Sequence, residues 1–178
     1  GCMCLVLVAP LRLLHPLLRA LGVPNGLLPV DVCLSLWYYS VLAASGISLR
    51  FEGELAERDW GSTCGIIVYN HASNLDPFIV GCACHRLAPK QVGKKVLFQF
   101  PFFGWMLLAL GMVPINRGDR TKAARTMNES VRGIMRRWGR SVAISPEGTR
   151  SRDGQLILPF KKGAFHLQEH TRAPLLPV

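Results

Sequence analysis

A histidine and an aspartate, His71 and Asp76, stand five positions apart in residues 70–78, Asn-His-Ala-Ser-Asn-Leu-Asp-Pro-Phe, directly behind the apolar run Gly65-Ile66-Ile67-Val68-Tyr69. In a continuous helix five residues rotate by roughly 140°, which would hold the two side chains apart, so a turn has to close them. Pro77 favours such a turn, because it biases Asp76 away from the α region and suits the first position of a helix. Closed in this way, Asp76 fixes one imidazole nitrogen of His71 and leaves the other to take a proton from a substrate hydroxyl. The competing reading makes Asp76 an N-cap and His71 a polar loop residue.

A second constellation lies downstream in Pro146-Glu147-Gly148-Thr149-Arg150-Ser151-Arg152-Asp153-Gly154. A glycine-permitted turn there gathers the Thr149 hydroxyl, backbone amides and the Arg150 guanidinium, the ingredients of a phosphate cradle. The alternative is an ordinary turn held by a salt bridge of Glu147. The chain contains neither Gly-x-x-x-x-Gly-Lys nor Gly-x-Ser-x-Gly, which excludes a Walker-type nucleotide loop and a serine-hydrolase elbow. Arg117 ends the short apolar run Met112-Val113-Pro114-Ile115-Asn116, where it can reach into a crevice at the carboxyl end of a sheet. Lys94 and Lys95 open a segment that runs into Pro101-Phe102-Phe103-Gly104-Trp105.

The elements that must position these residues belong to an α/β domain. With 178 residues the chain is long enough for one domain with a real core. Hydrophobic residues make up 49%, charged residues only 18%, and the net charge is +10. Basic and apolar together point to an anionic bilayer surface or phosphate-bearing lipids; no nucleic-acid partner is expected, since the cations lack interleaved aromatics on a recognisable reading element. Six cysteines form no Cys-x-x-Cys pair and fall mostly in apolar stretches, so they read as reduced, buried thiols with no zinc site.

Residues 1–50 read as a hydrophobic, membrane-docking helical hairpin. Its first half is interrupted by Pro10, Pro16 and Pro24, and its second carries the uncharged run 32–49, just short of a bilayer core. The competing reading is a buried helix pair of the core. Residues 51–178 form the catalytic domain, opening with a linking strand and loop through residue 62. A strand over 64–69 then precedes a helix over 75–84, and a helix over 105–110 stops at Gly111. Pro114 in the strand over 112–115 suggests an edge strand or a strand start. The clearest amphipathic helix is 121–138; a strand over 141–145, a short helix over 164–170 and the start of another strand at 174–178 follow. The expected architecture is a central mostly parallel or mixed sheet flanked by helices, preceded by the hairpin, with the domain continuing beyond residue 178.

Four blocks in this order resemble the 1-acylglycerol-3-phosphate (lysophosphatidic acid) acyltransferase family. Asn-His-x4-Asp is matched by Asn70, His71 and Asp76, and a glycine, apolar strand and arginine by Gly111 through Arg117. Pro-Glu-Gly-Thr-Arg-Ser is Pro146 through Ser151, with Pro-Phe-Lys-Lys-Gly-Ala-Phe from Pro159, and Pro174 through Val178 matches the final block. Ser145, Val96, Pro114 and Asn116 depart from common family residues.

The resemblance implies direct acyl transfer from an acyl thioester, carried by coenzyme A or a carrier protein, to the free hydroxyl of a lysophospholipid, giving phosphatidic acid. It implies no cofactor and no metal. His71 is then the general base and Asp76 its support. The substrate-binding set is Lys94, Arg117, Glu147, Gly148, Thr149 and Arg150, in which Glu147 orients the loop, because carboxylate and phosphate repel. The site is expected on a membrane, facing the cytoplasmic side; oligomeric state is left open. The alternatives are another acceptor, such as glycerol 3-phosphate or another lysophospholipid, and a non-catalytic lipid-binding module.

Overall fold

The structure, a computed structural model, describes residues 2–24, 26–50, 52, 64–116, 118 and 120–178, with the side chains of residues 2–9, 12 and 120–123 outside that description. The expected linking segment before residue 63 falls almost wholly outside the described residues.

Five short strands form one parallel sheet: β1 (Ile66–Val68), β2 (Lys90–Lys94), β3 (Val113–Ile115), β4 (Val142–Ile144) and β5 (Leu175–Pro177), in the order β3-β2-β4-β1-β5. Every neighbouring pair is parallel, so each strand must be followed by a crossover, and helices supply them. These are α3 (Asp76–Ala83), α4 (Phe103–Ala109), α5 (Arg120–Trp138) and α6 (Gly163–Thr171), with α1 (Cys2–Ala20) and α2 (Pro29–Ala44) ahead of the sheet. Short 3-10 turns cover His85–Leu87 and Lys95–Gln99.

The alternation of a strand separates the two faces. Ile66 packs with Val131 of α5 and Leu167 of α6, whereas Ile67 packs with Val80 and Cys84 on the α3 side. Both isoleucines are fully buried, as expected of a central strand in a sheet covered on both faces. Pro114 sits on edge strand β3, where the ladder bond it cannot make is not required. Gly111 follows α4 at φ +79°, the left-handed position that ends a helix with little cost only for glycine.

Lys90-Gln91-Val92-Gly93-Lys94 has too many polar residues to be expected as a buried strand, yet it forms β2. Its polarity is neutralised by partners far along the chain. Lys90, 5% exposed, donates to Asp31 at 3.2 Å, and Gln91 bridges the Tyr69 hydroxyl and the Pro77 carbonyl.

The N-terminal helices pack on each other and on the domain. Val30, Leu34, Tyr38 and Leu42 recur every four residues on α2, forming one buried stripe. That stripe lies against α3 so closely that a Cβ on Gly81 would meet the Tyr38 ring. Beyond this apolar contact, Asp31 of α2 pairs with Arg140 at 2.5 Å as well as Lys90, and Arg140 reaches His15 Nε2 of α1 at 2.9 Å. Pro10 and Pro16, read as interruptions, lie inside the continuous helix α1 and are both exposed. Among the described residues no helix is long and apolar enough to cross a membrane. Leu13, Leu17, Leu21, Leu27 and Leu36 are exposed on the hairpin.

Four cysteines are described, all as free thiols. Cys82 and Cys84 are buried, and burial pushes both up to about 11; Cys33 and Cys64 are only half-buried, unlike the fully buried thiols expected.

Candidate active site

Because all strands run the same way, the segments after β1, β2, β3 and β4 emerge at one edge of the sheet. Neighbouring β1 and β4 send their chains in opposite directions, toward β2 and β5 respectively. Such a switch point opens a crevice between the two loops. His71 and Asp76 follow β1, and Glu147 through Arg150 follow β4.

The turn expected between His71 and Asp76 is present. Asp76 Oδ2 accepts from His71 Nδ1 at 2.7 Å and from the backbone N–H groups of Ala72 and Ser73, each at 2.8 Å. Ser73 Oγ takes the Leu75 N–H at 3.1 Å and tightens the same turn. A carboxylate only accepts, so Nδ1 carries the proton and Nε2 is left as a basic lone pair. Asp76 is the first residue of α3 with Pro77 second, and Leu75 takes the cap position. The N-cap reading is therefore corrected: the carboxylate closes the turn upstream and holds the histidine through one oxygen, instead of capping its own helix. Its place at the helix start adds the favourable end of the peptide dipoles. The two side chains are about a quarter and a seventh exposed (25% and 14%), sheltered yet open to substrate.

The β4 loop grips the other side of His71. Glu147, 2% exposed, accepts the His71 N–H through Oε1 at 2.8 Å and the Ile157 N–H through Oε2 at 3.3 Å. Ser151 N–H donates to the His71 carbonyl at 2.7 Å. Both backbone groups of the histidine are thus held by a loop 76 residues away in sequence. The salt-bridged turn proposed as the alternative is not what forms: among the described residues Glu147 bonds backbone amides and has no cationic partner.

Gly148 has φ +69°, and a Cβ there would stand 2.5 Å from Cδ of Lys161. Only glycine allows both that backbone and the close passage of the lysine. Lys161 itself is tied by its N–H to the Pro146 carbonyl at 2.7 Å. Its contact with the loop is absent from the sequence reading; the signal available was the run Phe160-Lys161-Lys162 in a matched block. Thr149 and Arg150 are exposed, and among the described residues neither makes a side-chain hydrogen bond or ion pair. Lys94 is exposed at the end of β2, on the same sheet edge. Arg117 lies outside the described residues, two positions after β3. The structure thus joins His71 to Asp76 through its ring and to Glu147 through its backbone N–H, and carries Gly148 with them. Thr149, Arg150 and Lys94 lie at the same edge without touching the pair. Among the described residues no cluster of side chains suits a metal ion.

The arrangement provides an oriented base beside a loop whose Thr149 hydroxyl and Arg150 guanidinium have no partner among the described residues. Comparison with known proteins agrees with that chemistry. A family model described as Acyltransferase matches residues 49–178. The chain is 34% identical over 148 residues to a 1-acyl-sn-glycerol-3-phosphate acyltransferase of Saccharomyces cerevisiae, covering 80% of this chain and 46% of the relative. A protein of the same name from Haemophilus influenzae is 35% identical over 132 residues, covering 73% and 53%. That from Escherichia coli is 40% identical over 113 residues, covering 64% and 45%. The chain therefore spans about half the length of these relatives. In three dimensions it is similar to the crystal structure of the 1-acyl-sn-glycerophosphate acyltransferase PlsC from Thermotoga maritima. The TM-score is 0.66 at 24% identity, over 83% of this chain and 56% of that one, which shows a shared fold. With the family model covering the whole sheet and both loops of the crevice, the chain belongs to the acyltransferase family.

Proposed function

We propose that the chain transfers an acyl group from an acyl thioester to the free hydroxyl of 1-acylglycerol 3-phosphate, giving phosphatidic acid. The observation that carries this reading is the short bond between His71 Nδ1 and Asp76, which leaves Nε2 as the base. Nε2 takes the hydroxyl proton as the oxygen attacks the thioester carbonyl. Asp76, already within 2.7 Å, offsets the positive charge that forms on the imidazole. Collapse of the tetrahedral intermediate breaks the carbon–sulfur bond, and the departing thiolate recovers the proton from His71. The acceptor oxygen is itself the nucleophile. Cys82 and Cys84, buried with raised thiol pKa, are poorly suited to replace it.

The acceptor's phosphate is held by Thr149, Arg150, Arg117 and Lys94, with Lys161 passing over Gly148 as a further cation beside the loop. Glu147 acts by positioning His71. The enzyme works on a membrane, its site facing the cytoplasmic side, with the exposed leucines of the hairpin in contact with lipid. The donor is acyl-coenzyme A or acyl-carrier protein.

The test is a panel of acceptors and both donors with wild type and His71→Ala. Transfer to 1-acylglycerol 3-phosphate should fall by about a thousandfold or more in the variant, while the fold, followed by thermal melting, is kept. Full residual transfer would sink the assignment. A preference for glycerol 3-phosphate or a larger head group would keep the chemistry and change the acceptor.

A further inference from the structure

We propose that the groove between the C-terminal halves of α5 and α6 is a second anion site, taking a phosphate-bearing ligand away from the catalytic centre. The groove has a volume of about 280 Å³ and is lined by Cys64, Arg132, Arg136, His170, Thr171 and Arg172 among others. It lies at the opposite edge of the sheet from His71: Cys64 precedes β1 and Arg172 precedes β5, whereas the catalytic loops follow β1 and β4.

Three arginines, Arg132, Arg136 and Arg172, line it, and among the described residues no carboxylate pairs with them. Arg132 and Arg136 are one turn apart on the same face of α5, where like charges repel. The single acidic residue on α5, Glu129, pairs with Arg125 at 2.9 Å, and the single one on α6, Glu169, faces His166 at 3.6 Å. Among the described residues none of the three arginines has an ion-pair partner. Cations at a helix C-terminus ordinarily complement its dipole, but two helix ends offer only about one negative charge between them, against three positive. Arg172 also occupies a left-handed conformation, φ +59°, after α6, a position at which glycine is normally favoured. The Thr171 hydroxyl accepts the Ala173 N–H at 3.3 Å and its backbone turn holds the arginine in that place. A guanidinium kept where glycine would be easier, beside two others, suits a multiply charged phosphate by bidentate hydrogen bonding.

Phosphate of this kind comes from a lipid head group or from a soluble molecule, and Cys64 reports on both. The full chain is alkylated with N-ethylmaleimide and the rate at Cys64 is read by peptide mass spectrometry. The probes are inorganic pyrophosphate, phosphatidylcholine vesicles, and the same vesicles containing phosphatidylglycerol. Pyrophosphate or the anionic vesicles should protect Cys64, and the neutral vesicles should not; which of the two protects identifies the source. In Arg172→Gly half-protection should need about tenfold more probe, and in the Arg132→Gln/Arg136→Gln double variant more still. Glycine suits φ +59°, so Arg172→Gly should keep or raise the unfolding midpoint, separating lost binding from lost fold. If its midpoint falls, the double variant decides. An unchanged Cys64 rate with every probe, equal protection by neutral vesicles, or protection undiminished in the double variant would each overturn the site. None of these readings uses acyl transfer, so the result is independent of the catalytic assignment.

Discussion

Glu147 shows how a residue can control chemistry without touching substrate. Its two oxygens take one N–H each, from His71 and Ile157, and the whole side chain is buried. In Glu147→Gln one of those amides would face an NH2 group, leaving a buried donor unsatisfied at about 1–3 kcal/mol. The histidine would then shift relative to the acceptor hydroxyl, and misplacement on the order of 1 Å is enough to slow catalysis about a hundredfold. Steady-state kinetics should show kcat reduced by about 10- to 100-fold with KM within a few fold; a wild-type kcat would refute the positioning role. In sequence, the His71–Asp76 pair was legible because both partners and their turn lie within six residues. The grip of Glu147 on the His71 backbone was not, since nothing local to either segment specifies it.

At the scale of elements, the contact to test is the polar seam that binds α1 and α2 to the sheet. His15 of α1 accepts from Arg140, stands edge-on to Trp138 at 5.1 Å and shares its surroundings with Asp31, Lys90 and Arg19. Burial, then the nearby Arg140 charge, lower its pKa from 6.5 to about 4. A group held neutral in the fold contributes stability above its unfolded pKa and loses it as pH falls through the folded one. Stability should therefore be level above pH ~7 and drop between about 6.5 and 4, by about 1.4 kcal/mol per pH unit at the steepest and about 3 kcal/mol in total. Denaturant titrations of wild type and His15→Gln across that window provide the check: the variant should lose one proton's worth of slope. Equal slopes in the two proteins would remove His15 from the seam. The same seam explains the missed strand β2, whose Lys90 enters the interior only because Asp31, 59 positions earlier, accompanies it.

For the whole molecule, one face of the hairpin packs into the domain and another exposes leucines. Tyr38 and Leu42 lie in the core, while Leu13, at 81%, and Leu21, at 71%, face outward. A helix pair so divided suits docking on a bilayer surface better than crossing it. The expected outcome is that the protein sediments with phospholipid vesicles, is released by carbonate wash, and loses much of this binding when Leu13, Leu17 and Leu21 are changed to Ser; retention after the wash would contradict surface docking. Local chemistry in the sequence determined most of the elements: the apolar β-branched run of β1, the glycine stop after α4, the proline on edge strand β3 and the helical period of α5. It also determined the two motifs, each confined to a short stretch. The strand order, the adjacency of β1 and β4, the meeting of His71 with Glu147, and the basic groove at the far edge were decided by tertiary structure. Each depends on pairings between residues tens of positions apart, and the free energy that selects them comes from burying both partners together, which neither segment encodes alone.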